Sequence, residues 1–178
     1  MTLATATPSQ QGIASNPAAL AALAIAVIAA ATLAGAWFFQ LVLDIKPCPL
    51  CLEQRYAYYL ALPLALVVAF AAARGAPRQV VLAAFAVLLL AALANAWLGG
   101  YHAGVEWKFW EGPTDCSGPV VDLGSAGTLL QRLDTVKVIR CDEVQWRFLG
   151  LSLAGYNVLI SLAMAAIAVW GIVSAKRA

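Results

Sequence analysis

Four stretches of this chain run for the length of a membrane-crossing helix without a single charged side chain. They are Ala18–Leu43 with 26 residues, Tyr56–Ala73 with 18, Val80–Tyr101 with 22 and Phe148–Ser174 with 27. A hydrocarbon core ~30 Å thick takes about 20 helical residues to cross, so each run suffices, the second only just. Lipid offers the backbone no hydrogen-bond partner, which makes helices the expected form of all four. The first run reads as a span rather than a cleavable signal, because no Lys or Arg precedes it and it exceeds a signal's apolar segment.

Short connections between runs favour antiparallel neighbours. The pattern therefore predicts an all-α, integral membrane, up-down-up-down four-helix bundle. Gly35, Ala94, Gly99 and Gly155 are candidates for close helix approach, and Pro63 sits mid-span where it would kink the second helix. Residues 18–174 form the membrane domain, flanked by tails at 1–17 and 175–178, with loops at 44–55 and 102–147.

Charge gives this bundle a direction. Arg74 and Arg78 between the second and third runs, and Lys176 and Arg177 after the fourth, stand without any acidic neighbour. Under the positive-inside rule they mark the cytoplasmic side, with both termini there. All nine acidic residues and the other seven Lys/Arg fall in the two opposite loops. Trp37, Phe38, Phe39, Tyr56, Tyr58, Tyr59, Trp97 and Tyr101 cluster at the outer ends of their runs, as an interfacial belt does. Composition excludes the other classes: 63% hydrophobic and 11% charged residues, with a mean hydropathy of +0.83, rule out a soluble or disordered chain. A net charge of +2 gives no basis for binding nucleic acid.

The chemistry lies in the outer loops, which hold all four cysteines. Cys48 and Cys51 form a C-x-x-C at the mouth of the second helix, while Cys116 and Cys141 lie in the long loop with 24 residues between them. Three readings compete. A structural zinc site needs two closely spaced pairs, and the second pair is missing, so no metal is expected. Passive bracing suits a bridge closing the long loop but not a ring of two intervening residues. Thiol–disulfide exchange suits the C-x-x-C, a pattern typical of redox-active dithiols, and is favoured.

Arg55 follows Cys51 by about one helical turn, where a guanidinium and a helix N-terminus would both stabilise a thiolate. Anchoring the helix in the headgroups is the plainer role for the same residue. Exchange also needs an electron acceptor. No nucleotide fingerprint, second C-x-x-C or haem-ligating His pair is present, so a lipid-soluble carrier near Cys51, Arg55 and the single histidine, His102, is the natural candidate.

The segments Lys46–Arg55 (KPCPLCLEQR), Tyr101–Trp107 (YHAGVEW), Gly112–Cys116 (GPTDC) and Cys141–Leu151 (CDEVQWRFLGL) together resemble the bacterial disulfide bond formation protein B (DsbB) family, in the same order and topology. The resemblance implies an inner-membrane oxidoreductase that reoxidises a periplasmic, DsbA-like thiol oxidase and passes the electrons to quinone. On that pattern the partner's thiolate attacks Cys116 of a Cys116–Cys141 disulfide. Cys141 then engages Cys48 and frees the Cys51 thiolate, which faces ubiquinone, or menaquinone in anaerobic respiration. Arg55 becomes the quinone-site cation, His102 aligns with a family histidine near the quinone, and Leu153 and Asn157 fall near the same pocket with a looser match.

The long loop then has a task, since Cys116 must meet a soluble partner while its electrons return to the membrane. Leu129, Leu130, Leu133 and Val136 share one helical face, giving a short amphipathic segment that lies on the bilayer or packs on the bundle top. Turns at Gly112-Pro113 and Ser117-Gly118-Pro119 leave Cys116 exposed. The competing function class is a non-catalytic, disulfide-braced membrane scaffold, and quinone turnover separates the two.

Overall fold

The computed structural model describes residues 15–113 and 140–177. These contain four long helices: α1 Pro17–Leu41, α2 Pro49–Ala73, α3 Arg78–Glu106 and α4 Leu153–Arg177. All four are long and apolar enough to cross a membrane. Helix α1 packs on α2 and α4, and α3 packs on α2 and α4, so each helix touches its two neighbours around a four-helix bundle.

The helix ends overrun or undershoot the apolar runs for local reasons. Asn16 caps α1 through its side-chain oxygen, which accepts from the N–H groups of Ala18 (3.0 Å) and Ala19 (3.2 Å). Its Nδ2 donates to the Ala72 carbonyl at the end of α2 (3.0 Å), tying two helix ends together. Helix α2 starts at Pro49 rather than at Tyr56, because Cys48 caps it and proline is preorganised for the first helical position. It then continues through Pro63 to Ala73. Helix α3 runs past Tyr101 to Glu106, and the added turn carries His102 and Glu106 on its buried side.

Helix α4 begins at Leu153, not Phe148, because a small hairpin takes up the intervening residues. Strands β1 Arg147–Phe148 and β2 Leu151–Ser152 pair antiparallel. Leu149 (φ 48°) and Gly150 (φ 83°) form its two-residue turn, both in the left-handed region that such hairpins demand. Ser152 Oγ then accepts from Gly155 N–H at 3.2 Å and starts the helix.

Alanines fill much of the interior. Ala19, Ala21, Ala22, Ala29, Ala65 and Ala168 are fully buried, so backbones approach closely without large side chains between them. Of the four small residues expected at helix contacts, Gly99 fits that role: a Cβ there would sit 2.8 Å from Asn157 Nδ2 and 3.0 Å from Val158 Cγ2. Gly35 has open space beside it, Ala94 is exposed, and Gly155 faces Leu151 and Ser152 of its own segment. Gly171 supplies a contact that was not expected, since a Cβ there would overlap the buried Phe85 ring.

Tyr58 also departs from the interfacial belt. It is buried, with its hydroxyl donating to Asn157 Oδ1 (2.6 Å) and lying 3.2 Å from Ser161 Oγ. Asn95 Nδ2 donates to the same two oxygens at 3.1 and 3.0 Å, and Asn157 Nδ2 donates to the Asn95 carbonyl at 3.4 Å. A hydroxyl among apolar helices is stable only when paired, and this network pairs every member across three helices.

Candidate active site

The C-x-x-C occupies the first turn of α2. Cys48 is its N-cap, with Sγ accepting from Cys51 N–H at 3.3 Å, and the two sulfurs are 2.8 Å apart. Both cysteines carry free thiols, Cys48 buried and Cys51 half-buried. The hydrogen bond from the Cys51 thiol holds the Cys48 thiol down to about 5; burial opposes this, and contact with His102 adds to it. Within the dithiol, then, the cap position bears the thiolate.

His102 reaches this pair from α3. Its Nε2 lies 3.6 Å from Cys48 Sγ, and Gln54 Nε2 donates to its Nδ1 at 2.9 Å. An amide nitrogen only donates, so Nδ1 accepts and the proton of the neutral ring sits on Nε2, towards the sulfur. Glu106, one turn further along α3, places Oε1 3.9 Å from the same Nε2. Its other oxygen, Oε2, is buried without a hydrogen-bond partner. The donor atoms of Cys48, Cys51 and His102 all lie within 4.8 Å of one another.

Cys141 joins them from the far side of the sequence. It is 1% exposed and packs with Cys48, Leu50 and Val105, with Cys51, Leu98 and Tyr101 at the margin. It is disulfide-bonded. Next to it, Asp142 accepts from Lys108 at the end of α3 and from Arg140 Nε (2.9 Å) and Nη2 (2.8 Å). Hydrogen bonds from Arg140 and Lys108 hold the Asp142 carboxyl well below the usual carboxylate range. Cys116 and the amphipathic segment Leu129–Val136 lie outside the described residues.

A cavity of about 490 Å³ opens beside the dithiol. Cys48, Cys51, Gln54, Arg55, His102 and Glu106 form its polar end, and apolar residues of α1 and α4 line much of the rest. Leu153 and Asn157 also border it, so six of the eight residues singled out from sequence meet at one cavity. Phe39 of α1, Trp146, Phe148 and Tyr156 form a connected aromatic group on its wall. Trp146 stacks on Phe148 (centroids 5.9 Å apart, 16° between planes), and its centroid is 5.0 Å from that of Phe39.

Arg55 borders the cavity but is held by α1. Its Nη1 donates to Gln40 Oε1 (2.7 Å), its Nη2 donates to the Ala36 carbonyl (3.4 Å), and its guanidinium carbon lies 5.6 Å from the Trp37 ring centroid. The planar fork is thus fixed by the neighbouring helix, a geometry that neither thiolate contact nor headgroup anchoring alone anticipates.

Sequence reasoning assigned no role to Gln54, Glu106 or Tyr58 at this site, nor to Asn95 and Ser161 in the network that holds Tyr58 and Asn157. Glu106 had a usable signal, being an acid four residues after the only histidine and so on the same helical face. Gln54 had none, because its partner is 48 residues away.

Comparison with known families matches residues 18–171 to the model described as "Disulfide bond formation protein DsbB". A "Disulfide bond formation protein B" from Azoarcus sp. is 32% identical over 162 residues, covering 83% of this chain and 88% of the relative. Its namesake from Aromatoleum aromaticum is 32% identical, covering 79% of this chain and 82% of the relative. One from Methylococcus capsulatus is 33% identical, covering 77% and 83% respectively.

Proposed function

The chain belongs to the disulfide bond formation protein B family, a multi-pass membrane oxidoreductase of disulfide formation, and from that premise we propose that it reoxidises a periplasmic, DsbA-like thiol oxidase and delivers the electrons to membrane quinone. The observation that carries this reading is the burial of Cys48 and Cys141 in one cluster, with Cys51 on the wall of the adjoining cavity.

Burial divides the labour among the cysteines. Cys48 and Cys141 are only 2% and 1% exposed, so a folded soluble partner has no direct route to either sulfur. Cys116, in the loop before Cys141, takes the partner's thiolate and releases Cys141 as the leaving thiol. Cys141 then attacks Cys48 of a Cys48–Cys51 disulfide, joining Cys48 to Cys141 and freeing the Cys51 thiolate. The partner's second thiol displaces Cys116 and closes the partner's own disulfide; the freed Cys116 then attacks Cys141, which restores Cys116–Cys141 and leaves the electron pair on Cys48 and Cys51 as thiols.

The cavity fits a quinone head group in volume and in lining, being apolar along the helices and polar at the dithiol end. Cys51, Arg55, His102, Leu153 and Asn157 border the space that would hold a ubiquinone or menaquinone, which would supply a two-electron, two-proton acceptor for the Cys48–Cys51 dithiol. Arg55 presents a fixed guanidinium to that space, oriented by Gln40 and Ala36. His102 keeps its proton on Nε2, between Cys48 and Glu106, where it is available to the site. Leu153 and Asn157 shape the wall together with the Trp146 aromatic group. The cation distribution supports cytoplasmic termini and periplasmic cysteines in the inner membrane.

The test is quinone-dependent turnover of purified protein with a reduced DsbA-like partner, each cysteine replaced in turn by serine. Cys116→Ser should abolish exchange with the partner and leave quinone binding intact. Absence of quinone reduction by the wild-type chain with correctly paired thiols would reject the oxidase reading in favour of a braced scaffold.

A further inference from the structure

The dithiol and its histidine also form a set of metal ligands. Cys48 Sγ, Cys51 Sγ and His102 Nε2 converge within 4.8 Å, two of them on the first turn of α2 and the third arriving from α3. The Glu106 carboxylate stands 3.9 Å from the same imidazole nitrogen, with its second oxygen buried and unpartnered. Two sulfurs and one imidazole nitrogen make three donors of a set suited to a borderline-soft d¹⁰ cation, and Glu106 lies outside that converging group, reaching the fourth position by rotation of its side chain.

The distances are close to those such a site needs. Zinc bonds of ~2.3 Å to sulfur and ~2.0–2.1 Å to nitrogen set a tetrahedral sulfur–nitrogen edge of about 3.5 Å. The Cys48–His102 separation is 3.6 Å. The sulfur–sulfur edge would be about 3.8 Å, so the pair, 2.8 Å apart in the free dithiol, opens by a Cys51 rotation at the margin of the cavity. Ligation through Nε2 moves the ring proton to Nδ1, so the Gln54 amide, 2.9 Å away, must turn over and accept from Nδ1–H through its Oε1, the outer contact that orients a metal-ligating histidine.

We propose that the reduced protein binds one zinc-class cation through Cys48 Sγ, Cys51 Sγ and His102 Nε2, with Glu106 completing the shell. Binding releases the Cys51 thiol proton, Cys48 being a thiolate already, shifts the imidazole proton from Nε2 to Nδ1, and involves no redox change. Oxidation of Cys48 and Cys51 to a disulfide removes both thiolate ligands, so the site exists only in the dithiol state. A bound cation therefore occupies the sulfurs that must otherwise take part in exchange and holds the electron pair in the protein. This proposal goes beyond the oxidase reading, since it concerns a ligand and not a turnover step.

The full chain in detergent, with Cys116→Ala and Cys141→Ala so that only the C-x-x-C supplies thiolates, is titrated with zinc against a chromophoric chelator. One zinc per reduced chain is expected, bound at least about a hundredfold more tightly than by the diamide-oxidised form. His102→Ala should weaken binding by about tenfold or more, and His102→Gln provides a second variant should the first fail to fold. Cobalt on the reduced chain with His102 intact should show sulfur-to-metal charge transfer and tetrahedral ligand-field bands. Equal affinity in the two redox states, affinity unchanged in either histidine variant, or octahedral cobalt would overturn the proposal. The titration needs neither quinone nor partner, so a failed oxidase assay and a failed titration are separate results.

Discussion

His102 faces Cys48 across 3.6 Å with its protonated ring nitrogen directed at the sulfur, because Gln54 occupies the other nitrogen. This contact crosses 54 residues of sequence and links the cap of α2 to the last turn of α3. It gives the Cys48 thiolate a hydrogen-bond donor in a buried position, where an unpaired charge would be costly.

Removing that donor should return Cys48 towards an ordinary thiol. In the dithiol form the thiolate persists down to about pH 5, as set by Cys51 and His102 acting against burial. A depressed folded-state value stabilises the reduced protein above the unfolded thiol range near 8.5, and the benefit disappears as pH falls through the folded value. His102→Ala should raise the midpoint of ultraviolet thiolate absorbance by about a unit or more, a loss on the scale of one hydrogen bond to a charged group. A titration unchanged from wild type would mean the imidazole does not support the thiolate.

Gly99 predicts a different kind of failure. A Cβ there meets Asn157 Nδ2 and Val158 Cγ2 at 2.8 and 3.0 Å, pressing on the residue that joins Tyr58, Asn95 and α4. Gly99→Ala should destabilise the bundle by about 1–3 kcal/mol through overpacking, outweighing alanine's gain in helix propensity. Gly35→Ala is the control, because nothing lies within 4 Å of its Cβ position. Thermal unfolding in detergent should separate the two, and equal midpoints would show that α3 and α4 yield without cost.

What was readable in the sequence follows from which forces act locally. The four spans were legible because lipid selects for long uncharged runs, and the C-x-x-C because its two cysteines lie three positions apart in the chain. The start of α2 was not, since hydropathy excludes Glu53 and Arg55 while the helix is set by Cys48 and Pro49. Tyr58 was read as an interfacial aromatic because its partners, Asn157 and Ser161, lie about a hundred residues away. Arg55 borders the cavity at the dithiol end, and its fixation by Gln40 and Ala36 depends on how α1 packs, which no spacing reveals.

Asp142 makes the approach of Cys141 sensitive to acid. The carboxylate bridges Lys108 and Arg140 on the exposed side of the cysteine, and its titration lies well below the ordinary range. The interaction contributes above the unfolded carboxyl value near 3.9 and is lost as pH falls through the lower folded value. At neutral pH, Asp142→Asn should speed amide hydrogen exchange across residues 140–143, as should raised salt, because exposed pairs are screened. Identical exchange in Asp142→Asn and wild type would show that packing of Cys141 alone fixes this segment.

Arg55→Lys tests whether fixed geometry or mere charge matters at the cavity. Lysine keeps the positive charge but lacks the planar fork that donates from separate nitrogens to Gln40 Oε1 and the Ala36 carbonyl. It also replaces the guanidinium that lies 5.6 Å from the Trp37 ring centroid with a compact ammonium. If the residue serves by presenting an oriented guanidinium, Arg55→Lys should raise KM for quinone by about tenfold, the scale of one lost charged hydrogen bond. The rate of exchange between Cys116 and the partner should stay near wild type, since that step occurs in the loop and not at the cavity. Trp37→Leu should give a smaller rise in KM, because it leaves both hydrogen bonds in place. A matching fall in kcat and partner exchange for Arg55→Lys would instead indicate that α1 and α2 had separated, and thermal unfolding of the variant would register that loss directly.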